Sequence, residues 1–86
     1  MPTSLDRVTG MRLRELREMR GYTQRELAFA LDVTSTMIRH WEKGHKLTSA
    51  RIDQVAKALE VRPAALLEPP GSVVSQFDSG KEKARR

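Results

Sequence analysis

An apolar residue followed five positions later by a second apolar residue recurs along this chain at Val8/Leu13, Tyr22/Leu27, Val33/Ile38, Leu47/Ile52 and Val61/Leu66. This is the spacing of a hydrophobic staple, in which the residue ahead of a helix N-cap packs on the first turn and a half of that helix. In the first four cases the residue after the leading apolar one is a threonine: Thr9, Thr23, Thr34 and Thr48. A threonine hydroxyl accepts a hydrogen bond from an otherwise orphaned amide of the first turn. Glu26 stands three residues after Thr23 and completes a capping box. At the fifth start Arg62 is a poor cap, but Pro63 suits the first helical position. The pattern predicts five helices starting near residues 9, 23, 34, 48 and 63.

The predicted helix ends are also marked. Gly21 and Gly44 stand where a left-handed residue is needed after the first and third helices, and Asp32 and Glu60 occupy the matching places after the second and fourth. Asp tolerates that conformation better than Glu, so the end near Glu60 is the least sharply defined. Within the helices the apolar residues form stripes: Leu13 and Leu16; Leu27, Ala28 and Leu31; Ile52, Val55, Ala56 and Leu59. Helices this short are unstable alone in water and must bury their stripes on one another. The expected architecture is all-α: a compact five-helix domain over residues 9–68, an N-terminal arm at 1–8 and a flexible basic tail at 69–86. The tail lacks helical periodicity, and its SVVSQF stretch would form a strand only against a partner.

At 86 residues the chain accommodates one small domain. Its formal net charge is +5, with nine Lys/Arg against six Asp/Glu in residues 1–47, three against three in 48–68, and four against two in 69–86. A basic first half fits a polyanionic partner. No cysteine is present, so neither disulfides nor thiolate metal sites enter, and a reducing, cytoplasmic setting is expected. The N-terminus has no apolar leader core and no stretch is long and apolar enough for a membrane span.

Only Leu31-Asp32-Val33 separate the second and third predicted helices, a turn that forces a steep crossing as in a helix-turn-helix. On a helical wheel, Ile38, Trp41 and Glu42 of TSTMIRHWEKG fall on one side, with Met37 at its edge. Ser35, Thr36, Arg39, His40 and Lys43 fall on the other within an arc of about 140°. That outer face carries hydrogen-bonding and cationic groups and no carboxylate.

Residues 11–68 resemble the Cro/phage-repressor, or XRE, type of helix-turn-helix domain, with a lambda-repressor-like fold. The resemblance rests on LRELREMRGYTQRELAFALDV, TSTMIRHWEKG, IDQVAKALEV and PAALL, and most specifically on Gln24, Ala28, Ile38, Glu42 and Gly44 at their intervals. The family usually has Gly where this chain has Asp32 and Glu60. The resemblance implies that the third helix enters the major groove, with Ser35, Thr36, Arg39 and His40 at base edges. It implies phosphate contacts from Gln24, Thr34, Lys43, His45 and Lys46, and a structural salt bridge between Arg17 and Glu42.

The expected function is sequence-specific binding of double-stranded DNA by a transcriptional regulator, a repressor, acting as a homodimer on a palindromic operator. Leu66, Leu67, Val73, Val74 and Phe77 exceed what one small core needs and suggest the dimer surface. An antitoxin-like regulator whose tail orders on a protein partner is an alternative, as is an adaptor that does not bind DNA. No catalysis, cofactor or metal is expected. Carboxylates alternate with arginines over residues 14–20 as on ion-paired helix surfaces, and His40 and His45 lack a third ligand. Trp41 shares its face with Ile38 and is expected in the core rather than stacked on a base.

Overall fold

Three capping threonines, four left-handed residues at helix ends and one proline divide the chain. The computed structural model, which describes residues 4–72, shows how each is used. The elements are α1 (Ser4–Met19), α2 (Gln24–Leu31), α3 (Ser35–Glu42), α4 (Ser49–Leu59) and α5 (Pro63–Leu66). Thr23 Oγ1 accepts from the Glu26 amide while the Thr23 amide donates to the Glu26 carboxylate, closing a capping box at the head of α2. Thr34 and Thr48 cap α3 and α4 in the same way through the amides of Met37 and Arg51. Arg62 offers α5 no side-chain cap, and Pro63 opens the helix.

The helix ends follow one scheme. Gly21, Asp32, Gly44 and Glu60 all have positive φ, at 79°, 59°, 108° and 61°. After each, the next amide bonds back to a carbonyl five residues earlier: Tyr22 to Arg17, Val33 to Ala28, His45 to His40, and Val61 to Ala56. This doubly bonded C-terminal motif satisfies carbonyls that a helix end leaves orphaned. Tyr22, Val33 and Val61 thus finish one helix and immediately precede the cap of the next, which keeps those turns short and the crossings steep.

The first helix departs from the sequence expectation. It begins at Ser4 rather than near residue 9, so residues 4–8 are helix and not an arm, and the domain starts correspondingly earlier. Thr9 is not a cap but a buried residue in the helix, 5% exposed. Leu5 to Val8 contain no helix breaker, and Asp6 lies in the first turn, where the helix dipole favours an acid. The small pair Thr9–Gly10 is instead what lets α1 approach α3: a Cβ on Gly10 would meet the backbone carbonyls of Trp41 and Glu42.

Leu13 and Leu16 of α1, Leu27 and Ala28 of α2, Ile38 and Trp41 of α3, Val55, Ala56 and Leu59 of α4, and Ala65 and Leu66 of α5 form the core. Leu66 is buried here, so it is not available to a dimer surface, whereas Leu67 is 49% exposed. Val73, Val74 and Phe77, with the rest of the tail beyond Ser72, lie outside the described residues.

A buried charge joins the two ends of the domain. Arg12 is fully buried, its Nε donating to the Ala65 carbonyl at 2.8 Å, Nη1 to Glu15 at 2.7 Å and to the Ser72 carbonyl at 3.2 Å, and Nη2 to Glu68 at 3.1 Å. A guanidinium removed from water requires such partners. Glu15 also accepts from the Gly71 amide at 2.9 Å. That bond first, and the Arg12 guanidinium second, hold the Glu15 carboxyl below its ordinary value. Residues 68–72 are therefore tied back onto α1. Among the described residues no helix is long and apolar enough to cross a membrane.

Candidate nucleic-acid interface

The short α2–α3 turn leaves α3 packed on one side and open on the other. Ile38 and Trp41 are buried, and Met37 packs partly against the same core. Thr36, Arg39, His40 and Lys43 are exposed, and Ser35 is half-buried. Arg39 Nη2 reaches only loosely toward Thr36 Oγ1, at 3.5 Å, and leaves its guanidinium on the surface. Four residues with groups suited to base edges, Ser35, Thr36, Arg39 and His40, thus share one face of a helix whose N-terminus is held by Thr34.

Glu42 is the single carboxylate of α3, and it is withdrawn from that face. Arg17 Nε donates to Glu42 Oε2 at 2.6 Å and Nη2 to Oε1 at 3.3 Å, a two-pronged pair with side chains only 10% and 6% exposed. Gln24 Nε2 adds a third bond to Glu42 Oε1 at 3.0 Å. Arg17 Nη1 also caps the Tyr22 carbonyl at 2.7 Å. One carboxylate at the end of α3 is therefore fixed by α1 and by the first residue of α2, and this sets the position of α3. Fork-shaped Arg–carboxylate pairs suit such a role because the two bonds define an orientation as well as a distance.

The residues expected at phosphates fall in three places. Gln24 and Lys43 border one notch of about 250 Å³ together with Arg14, Arg17, Arg39 and Glu42. Gln24 spends one amide hydrogen on Glu42 and keeps the other. Thr34 is exposed; its oxygen accepts from Met37, which leaves its hydroxyl hydrogen to donate outward. His45 and Lys46 are exposed in the turn after α3. The rings of His40 and His45 stack nearly parallel, with centroids 4.8 Å apart, rather than converging on a common point as metal ligands do. This stack joins a residue expected at base edges to one expected at phosphates. The sequence hinted at it only through the turn that folds residue 45 back over residue 40.

Sequence reasoning overlooked Arg14 as a member of the notch, and Gly10 as the point where α1 touches α3. Apart from Arg17, it read the arginines over residues 14–20 as an ion-paired helix surface. The only advance signal was spacing: Arg14 stands one turn before Arg17, on the same side of the helix.

A capped helix pair with a three-residue turn, an open polar face on its second helix and a braced inner carboxylate defines a helix-turn-helix module. The helix-turn-helix family model HTH_3 matches residues 13–66, and the chain belongs to that family. It is 34% identical over 68 residues to y4wC, an uncharacterized HTH-type transcriptional regulator of Sinorhizobium fredii, covering 78% of this chain and 48% of that protein. It is 36% identical over 63 residues to YazB, an uncharacterized HTH-type transcriptional regulator of Bacillus subtilis, covering 73% of this chain and 91% of the relative. The chain thus spans about half the length of y4wC and most of YazB. Among solved structures it is similar to the clp gene regulator ClgR of C. glutamicum, with a TM-score of 0.72 at 31% identity over 78% of this chain and 87% of that one.

Proposed function

We propose that this chain binds double-stranded DNA sequence-specifically, reading the major groove with α3, and acts as a transcriptional regulator that represses by occupying its site. One observation carries this: the outward face of α3 presents Ser35, Thr36, Arg39 and His40, while Glu42, its only acid, is held inward by Arg17 and Gln24. A carboxylate on that face would repel the phosphate backbone, and its withdrawal leaves donors and cations alone.

Arg39 makes a bidentate contact with guanine O6 and N7, worth about 1–3 kcal/mol of discrimination. His40 donates to a guanine N7, the Thr36 methyl meets a thymine methyl, and the Ser35 hydroxyl serves either base edge. Gln24, Thr34, Lys43, His45 and Lys46 bond phosphates and set the register, with the N-terminus of α2 adding its own attraction. One module of this size buries limited surface, so the binding form is a homodimer on a palindromic operator, with half-sites about one helical turn apart. The exposed Leu67, just after α5, contributes to the dimer surface. The protein works where the DNA is, in the cytoplasm on the nucleoid.

Selection of bound duplexes from a random library tests this. The expected product is one symmetric site, bound with an affinity that falls by about 10³–10⁵ between 50 and 200 mM salt if about 6–10 phosphates are engaged. Arg39→Ala should relax preference at one base position per half-site, and Gln24→Ala should weaken all duplexes alike. A flat salt response overturns DNA binding and supports a protein-interaction adaptor. Asymmetric sites, or a monomer at high concentration on DNA, overturn the dimer.

A further inference from the structure

The arginines of α1 are not equivalent. Arg17 turns inward to Glu42, whereas Arg14 lies outside with its side chain 65% exposed and paired to Glu18, Nε to Oε2, at 3.1 Å. Arg14 nevertheless lines the same notch as Arg39 and Lys43 of α3 and Gln24 of α2. That notch brings together four cations, Arg14, Arg17, Arg39 and Lys43, and one carboxylate, Glu42, for a formal charge of +3. Glu42 already accepts three hydrogen bonds from Arg17 and Gln24, which directs its oxygens into the protein. What remains at the mouth is cationic and comes from two helices that meet only in the folded domain.

We propose that Arg14 is a backbone-phosphate ligand of the bound duplex, and that Glu18 attenuates it. This rests on the DNA-binding reading above and extends the interface from α2 and α3 onto α1. In the free protein Glu18 holds Arg14 and also lies 3.8 Å from Arg17 Nη2. The Arg14–Glu18 pair is solvent-exposed and contributes little. A phosphodiester seated in the notch offers Arg14 a geometrically matched acceptor, with the remaining Gln24 amide hydrogen and Lys43 beside it. Glu18 competes for that guanidinium and places one negative charge next to the DNA backbone. The two residues together set how strongly the module holds any duplex, independent of sequence.

The test uses the full chain and its selected duplex, with affinity measured across 50–200 mM salt. Arg14→Ala should weaken binding to specific and nonspecific duplexes alike, by about eightfold at 0.1 M salt, and lower the salt slope by about 0.9, the increment of one phosphate. Arg14→Lys should restore part of both. Glu18→Gln should tighten binding, and this gain should vanish in the Arg14→Ala background. An unchanged slope in Arg14→Ala overturns the assignment, as does a Glu18→Gln gain that persists without Arg14. Circular dichroism melts of the same variants, expected to match the parent, separate a binding loss from a folding loss. A parent chain with no salt-dependent duplex binding overturns the DNA-binding reading itself. A parent that binds normally beside an Arg14→Ala variant that does too overturns the Arg14 assignment alone.

Discussion

Gly10 of α1 lies directly against the backbone of Trp41 at the end of α3, so closely that a Cβ there would also stand 2.8 Å from the Glu42 carbonyl oxygen. The contact is backbone to backbone, and neither partner can move aside as a flexible side chain would. The distance between α1 and α3 is therefore set by the absence of one methyl group.

Gly10→Ala should destabilise the domain. In an open helix the same change stabilises by about 0.5–1 kcal/mol, because alanine is the better helix former. Here the added methyl must push two helices apart, at a cost of about 1–3 kcal/mol for overpacking. The expected net result is a lower thermal midpoint and, because α3 is displaced, weaker duplex binding. A rise in the midpoint would mean that α1 and α3 are further apart than described.

The Arg17–Glu42 pair should behave as a buried one. Glu42→Ala leaves the Arg17 guanidinium nearly enclosed without its main acceptor, and a loss of about 3–5 kcal/mol is expected. Replacing both partners by apolar residues, as in R17M/E42L, should cost less than either single replacement. Urea titrations of the singles and the double form the cycle that measures this coupling. Additive losses would show that the two side chains are not coupled.

Asp32 and Glu60 are non-glycine residues in left-handed conformations. Asp32→Gly should stabilise by about 0.5–1 kcal/mol, from relief of Cβ crowding and removal of an acid from the negative end of α2. Glu60→Gly should gain less, because it also loses the Arg20–Glu60 pair at 3.3 Å. Thermal midpoints of the two variants, compared side by side, check the order.

Glu15 links stability to pH. Its carboxyl is held below its ordinary value of 4.5 by the Gly71 amide and by Arg12. A depressed folded-state value means that this stabilisation is complete above about pH 4.5 and disappears as pH falls through the lower folded value. Denaturant midpoints between pH 3 and 6 should fall on acidification in the parent chain and fall less steeply in Glu15→Gln. Equal slopes would mean that Glu15 is not the group responsible.

Elements whose formation depends on residues within a turn of one another could be read from the chain. The caps at Thr23, Thr34 and Thr48, and the left-handed ends at Gly21, Asp32, Gly44 and Glu60, are exchanges between a side chain or a backbone conformation and amides at most five residues away. The two faces of α3 follow from its own period, with Ile38 and Trp41 inward and Arg39 and His40 outward.

Tertiary structure decided the rest. Thr9 has the local signature of a cap, yet its place beside Gly10 is determined by α3, about thirty residues away in the chain. Nothing local marks Arg12 for burial, which follows only when Ala65, Glu68 and Ser72 fold over it. Leu66 reads as spare apolar surface until the core closes on it. Arg14 and Arg17 have the same composition and the same helix face, and only the carboxylate of Glu42, delivered by α3, makes one a brace and leaves the other at the rim of the notch. Caps and periods are local and are written into neighbouring residues. Burial and charge pairing depend on which distant groups arrive, and those are settled only when the helices pack.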